Sequence, residues 1–177
     1  MNNYKPKYVV GNTYHKLAQT ENAANAFGPW NPAEFTVEDS AFGFIVMENG
    51  ATIYLESSWA LNSLDVGEAQ TTLHGTQGGA DMKDGLRING EADGMMYDKT
   101  MVLEPGGVDF YDGSGDDPAY LEAKQWIESI QNDTEPVVSP EQALVVTQIL
   151  EAIYQSAKTG APVYINQHKE EVGNMPV

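Results

Sequence analysis

The 177-residue chain carries 26 acidic residues against nine basic ones, a formal charge of −17, with 41% hydrophobic residues and no cysteine. Such a field repels phosphate backbones and anionic membranes. The lack of thiols removes disulfide scaffolds, thiolate zinc sites and thiol nucleophiles together. No apolar run approaches the ~20 residues of a membrane span, and the Met1-Asn2-Asn3 start has no signal core. A soluble cytoplasmic protein is therefore expected, with no nucleic-acid or membrane partner. Length predicts one domain over residues 1–165, followed by a polar tail over 166–177.

Residues 7–14 (KYVVGNTY) are β-branched and aromatic, the composition of a strand. Two prolines around Trp30 (GPWNP, 28–32) predict an ordered irregular loop. Residues 41–47 and 51–60 flank Glu48-Asn49-Gly50, a hairpin signal. With Asn49 and Gly50 as a two-residue loop, Val46 faces Ile53, Phe44 faces Leu55 and Phe42 faces Ser57. One face then holds Phe42, Phe44, Val46, Ile53, Leu55 and Trp59. The other holds Ile45, Met47, Thr52 and Tyr54 and also needs a cover, from helices or a second subunit. Residues 70–76, 86–89 and 95–103 read as shorter strands, separated by Gly78-Gly79 and Glu91-Ala92-Asp93-Gly94.

Two helices follow. Pro118 opens the first behind a candidate Asp117 cap, with Ala119, Ala123, Trp126, Ile127 and Ile130 as its apolar stripe. The second opens on Ser139-Pro140-Glu141-Gln142, a capping box with proline at the first helical position, and stops at Gly160. Residues 162–165 can add a last strand. Strands before helices predict an α+β fold: an open, mainly antiparallel β-sheet with helices packed on one face and the other face available for oligomerisation.

Gly113-Ser114-Gly115 before Pro118 resembles the start of a dinucleotide loop, but Asp116 and Asp117 would repel a pyrophosphate there. The same loop offers Asp109, Asp112, Asp116 and Asp117 to calcium without EF-hand spacing, so a solvated acidic loop is favoured. His15, His74 and His168 form no HExxH pair, and no GxSxG elbow occurs. His74, within a strand, reads as a hydrogen-bonded structural histidine, and His168 as exposed in the tail. His15, beside Lys16 at a strand exit, suits a substrate contact. Trp59 ends the second hairpin strand among polar neighbours. It suits a platform for a sugar ring with Asn62 hydrogen bonding beside it, and equally a core tryptophan.

Val37-Glu38-Asp39-Ser40 leading into FGFIVMENGATIYLESSWA, then TTLHGTQGG, and then SPEQALVVTQILEAIYQSAKTGAPVYI resemble the C-terminal domain of the glucose–fructose oxidoreductase/inositol dehydrogenase/MocA (Gfo/Idh/MocA) family. The last stretch is the most specific. The resemblance covers roughly residues 4–165 and implies an NAD- or NADP-dependent parent enzyme that transfers hydride to or from a sugar, an inositol-like polyol or a related carbonyl compound. The family's Glu-Lys-Pro and Asp-x-Gly-x-His motifs are absent, so no catalytic, cofactor-binding or metal-binding residue is carried over. The resemblance implies a substrate wall of Tyr14, His15, Lys16, Trp30, Trp59 and Asn62, with no cofactor site in this chain. It also implies a homodimer or homotetramer formed through the sheet face. The alternatives are a stand-alone carbohydrate-binding module using Trp30 and Trp59, and a purely structural assembly domain.

Overall fold

The computed structural model describes residues 4–20, 30–64, 70–83, 85–101 and 118–165. The elements are β1 (Pro6–Tyr14), β2 (Ser40–Met47), β3 (Thr52–Ser58), β4 (Thr72–His74), β5 (Gly78–Asp81), β6 (Leu86–Ala92) and β7 (Met95–Met101). After them come α1 (Pro118–Asn132), α2 (Pro140–Thr159) and β8 (Val163–Tyr164). The fold is α+β with antiparallel pairing between all the named strands, as two four-stranded sheets where one was expected. Two compact units contain them: residues 1–62 with 138–177, and residues 63–137.

The first unit holds the sheet β3-β2-β1-β8. Its hairpin closes one residue away from the expected register: Ile45 faces Ile53, Phe44 faces Tyr54 and Gly43 faces Leu55. The turn is the cause. Met47 N–H donates to Ala51 C=O at 2.8 Å, leaving Glu48, Asn49 and Gly50 as a three-residue loop with Gly50 at φ +87°. A one-residue slip exchanges the faces of a strand. Gly43, Ile45, Met47 and Leu55 therefore turn to the core, and Phe42, Phe44, Val46 and Tyr54 turn away. The expected grouping of Phe44 with Leu55 and Trp59 is not formed, and Ile45 and Met47 leave the open face.

Helix α2 covers the core face. Ser139 Oγ accepts from Gln142 N–H while the Gln142 side chain accepts from Ser139 N–H, and Gly160 ends the helix at φ +67°, as the sequence predicts. Val9, Ile45, Met47, Ala152 and Ile153 form the core. Ile153 seats over Gly11 and Gly43, which face each other across β1 and β2. A Cβ on Gly43 would stand 2.6 Å from Ile153 Cδ1, and one on Gly11 2.8 Å from Ile153 Cγ2. Ser156, also buried, accepts the Gly11 N–H at 3.0 Å. The opposite sheet face stays open and aromatic: Tyr8 lies 5.5 Å from Tyr164, Tyr14 packs edge-on to Phe42, and Tyr54 is 67% exposed.

The second unit holds the sheet β4-β5-β6-β7 and α1. Gly78 and Gly79, expected as a separator, begin β5. A Cβ on Gly78 would stand 2.4 Å from Asn89 O, so close backbone approach rather than a break explains the pair. Strands β6 and β7 meet over Asp93 (φ 54°) and Gly94 (φ 74°), a two-residue turn shorter than the predicted separator. The stripe of α1 is not packed on the sheet as expected: Trp126 and Ile130 are 54% and 67% exposed. Such a stripe gains burial only from a partner surface, and none stands against it among the described residues of its own unit. The Asp117 cap, the acidic loop with its dinucleotide-like and calcium-like patterns, and the tail with His168 lie outside the described residues.

Candidate functional site

Two acidic residues at the entry to β2 organise one end of the first sheet. Asp39 is 2% exposed. One of its carboxylate oxygens accepts the backbone N–H groups of Lys16, Leu17 (2.7 Å) and Ala18 (3.3 Å), and the other accepts the Ser40 hydroxyl at 3.0 Å. Its carbonyl accepts Trp59 N–H and the Ser58 hydroxyl, each at 3.1 Å. The Glu38 carbonyl accepts the Trp59 indole N–H at 2.7 Å, and the Glu38 carboxylate accepts the Tyr154 hydroxyl from α2 at 2.6 Å. The dipeptide thus joins the exits of β1 and β3 to the helix.

Burial alone would raise the Asp39 carboxyl, but the N–H groups of Ala18, Lys16 and Leu17 and the Ser40 hydroxyl outweigh it and hold the group below its usual range. No ion pair with a cation is made by Asp39 among the described residues; aligned N–H dipoles balance its charge instead. The Glu38 carboxylate, by hydrogen bonding, and partial burial raise the Tyr154 hydroxyl above its ordinary value.

Against this hub sits an aromatic cluster. Phe35 stacks on Trp59 with ring centroids 4.8 Å apart, and Trp30 meets Trp59 edge-on at 5.4 Å. The Trp30 indole N–H donates to Ala18 C=O at 2.8 Å, so both tryptophans are pinned to backbone. Trp59 is neither a bare platform nor a core residue: it is half-buried, with Phe35 along one ring face.

Of the six expected wall residues, Trp30 and Trp59 are brought together, with His15 and Lys16 on the turn that Asp39 holds. The Nε2 atom of His15 is buried and has no hydrogen-bond partner among the described residues. Tyr14 points to the open sheet face beside Phe42, its hydroxyl accepting from Asn12, and Asn62 is exposed. His74 is exposed in β4, as are both its strand neighbours, and its side chain makes no hydrogen bond among the described residues, so the structural role expected for it is not found. Sequence reasoning missed Glu38, Asp39, Phe35 and Tyr154. The signal available was an acidic pair entering an apolar strand, where one carboxylate must find donors once buried. Among the described residues no group of three potential metal ligands occurs, and no helix is long and apolar enough to cross a membrane.

An antiparallel sheet backed by a capped helix, with polar and aromatic groups gathered at the strand exits, makes the first unit an α+β domain. The chain belongs to the Gfo/Idh/MocA oxidoreductases: residues 5–165 match the family's C-terminal alpha/beta domain. It is 29% identical over 161 residues to D-glucoside 3-dehydrogenase of Escherichia coli K12, covering 89% of this chain and 42% of that enzyme. The fold is similar to levoglucosan dehydrogenase in complex with NADH and levoglucosan (TM-score 0.64, 18% identity, 92% of this chain and 45% of that one). It is also similar to an oxidoreductase from Agrobacterium radiobacter in complex with NAD+, L-tartaric acid and magnesium (TM-score 0.61, 18% identity, 93% and 44%). The chain spans less than half the length of each of these proteins.

Proposed function

We propose that this chain is the substrate-side and oligomer-forming domain of an NAD(P)-dependent dehydrogenase acting on a sugar or glycoside. The observation that carries the reading is the Trp30–Phe35–Trp59 cluster, fixed at the strand exits by Glu38 and Asp39, within a domain similar to that of D-glucoside 3-dehydrogenase. Apolar ring surface takes the C–H face of a pyranose, while His15, Lys16 and Asn62 supply donors and acceptors for hydroxyls. The dinucleotide is held by another part of the enzyme, which supplies hydride chemistry, and this domain orients the substrate.

Kinetics of the enzyme carrying this domain test the reading. Trp59→Ala should raise KM for a D-glucoside about tenfold or more, the loss of ~1.4 kcal/mol of stacking, with the dinucleotide Kd unchanged. An unchanged KM would refute the wall.

The open aromatic face of the first sheet supports a homo-oligomer. Val10, Phe44 and Tyr54, all exposed, sit on that face beside Tyr8 and Tyr164, an apolar patch of the kind that soluble monomers rarely leave uncovered.

A further inference from the structure

The second unit carries a polar cleft of about 1040 Å³ that the proposed substrate wall does not use. Its floor is one face of the sheet β4-β5-β6-β7, and strand register sets what stands on it. One row across the four strands is His74, Gly79, Asn89 and Asp98. The next is Thr72, Asp81, Arg87 and Thr100. Positions two apart on a strand share a face, so both rows point the same way.

Gly79 is the only residue of the two rows without a side chain, and the Asn89 amide leans over it. The space above it is taken by its neighbours: a Cβ on Gly79 would stand 2.8 Å from Leu73 O and 3.1 Å from Asn89 Oδ1, so only glycine fits there. The groups around it are held in place. Asn89 Oδ1 accepts the Gly79 N–H at 2.7 Å, which fixes the amide and leaves its Nδ2 group as a donor. Arg87 grips Asp81 through two hydrogen bonds, Nε to Oδ1 at 2.9 Å and Nη2 to Oδ2 at 2.6 Å. Such a fork holds both side chains rigid.

We propose that this cleft is a second binding site, for a neutral sugar of one or two rings lying across the two rows. The mixture of imidazole, amide, carboxylate and hydroxyl groups matches a ligand that donates and accepts at every hydroxyl. Anions are disfavoured, because Asp81 and Asp98 outnumber Arg87 in the two rows and the chain as a whole carries −17. The volume stands at the upper end of small-molecule clefts, room enough for a disaccharide. Neither row contains an aromatic ring, so affinity rests on hydrogen bonds, with a Kd on the order of 1 mM.

Amide NMR of the whole chain, titrated with methyl β-D-glucopyranoside and with cellobiose, tests the proposal. Saturable shifts should fall on Thr72, His74, Gly79, Asn89 and Asp98. Asn89→Asp keeps the oxygen that holds the Gly79 N–H and replaces the amide donor with an anionic oxygen; it should weaken binding at least about tenfold while leaving the fold intact. Trp59→Ala should leave these shifts unchanged, which separates this site from the substrate wall. The proposal is overturned by an absence of shifts at sugar concentrations roughly fiftyfold above the expected Kd, or by shifts that persist in Asn89→Asp. Shifts of the same residues with protein concentration alone would also overturn it, since a second copy would then be the occupant.

Discussion

Replacing Asp39 by alanine removes the acceptor for three backbone N–H groups and one hydroxyl in a site that water does not reach. A buried donor left without a partner costs about 1–3 kcal/mol. The three N–H groups share one oxygen, so their losses do not add fully. The expected cost of Asp39→Ala is about 3–5 kcal/mol, a large part of the stability of a typical domain. Asp39→Asn can keep an oxygen toward the turn and turn its amide toward Ser40, losing charge assistance at each bond but also the desolvation of an anion. Its cost should be near 1–2 kcal/mol.

The pH dependence follows from the direction of the shift. The folded-state pKa of Asp39 lies below the usual carboxylate value of 3.8. Its stabilisation is therefore complete above that value and is lost as pH falls from there through the folded-state pKa. Urea unfolding followed by tryptophan fluorescence, at neutral pH and again in acid, measures both effects. An Asp39→Ala variant within about 1 kcal/mol of the parent, or an Asp39→Asn variant that keeps the parent's acid sensitivity in full, would refute the reasoning.

Gly43→Ala drives a methyl to within 2.6 Å of Ile153 Cδ1 and should cost about 1–3 kcal/mol. Ile153→Val removes that methyl, so the double variant should be more stable than the sum of the two single costs implies, a coupling read from a denaturation cycle. Tyr54→Glu places a charge at the centre of the open aromatic face. Light scattering should find the parent as a dimer or tetramer and the variant shifted toward monomer, whereas a parent that stays monomeric at high concentration contradicts the oligomer reading.

Local chemistry in the sequence carried far for α2. Ser139, Gln142, Pro140 and Gly160 each act at the position their spacing assigns, because capping depends on nearest neighbours along the chain. The hairpin shows the limit. Asn49-Gly50 marks a turn correctly, but loop length is set by whether Met47 pairs with Ala51, and a single residue of difference reverses which apolar set is buried. Large side chains announce themselves in the sequence, and the fold brings two of them, Trp30 and Trp59, into contact. Their supports do not: Asp39 bonds residues 21 to 23 positions away, and Tyr154 reaches Glu38 across 116. Nothing local in the sequence encodes such pairings.

The central claim is that this domain orients substrate while another part of the enzyme holds the dinucleotide. Calorimetric titration of the 177-residue chain with NADH and NADPH tests it most directly. The account predicts no saturable heat for either cofactor, whereas one-to-one binding with a Kd on the order of 1 μM or tighter would contradict it.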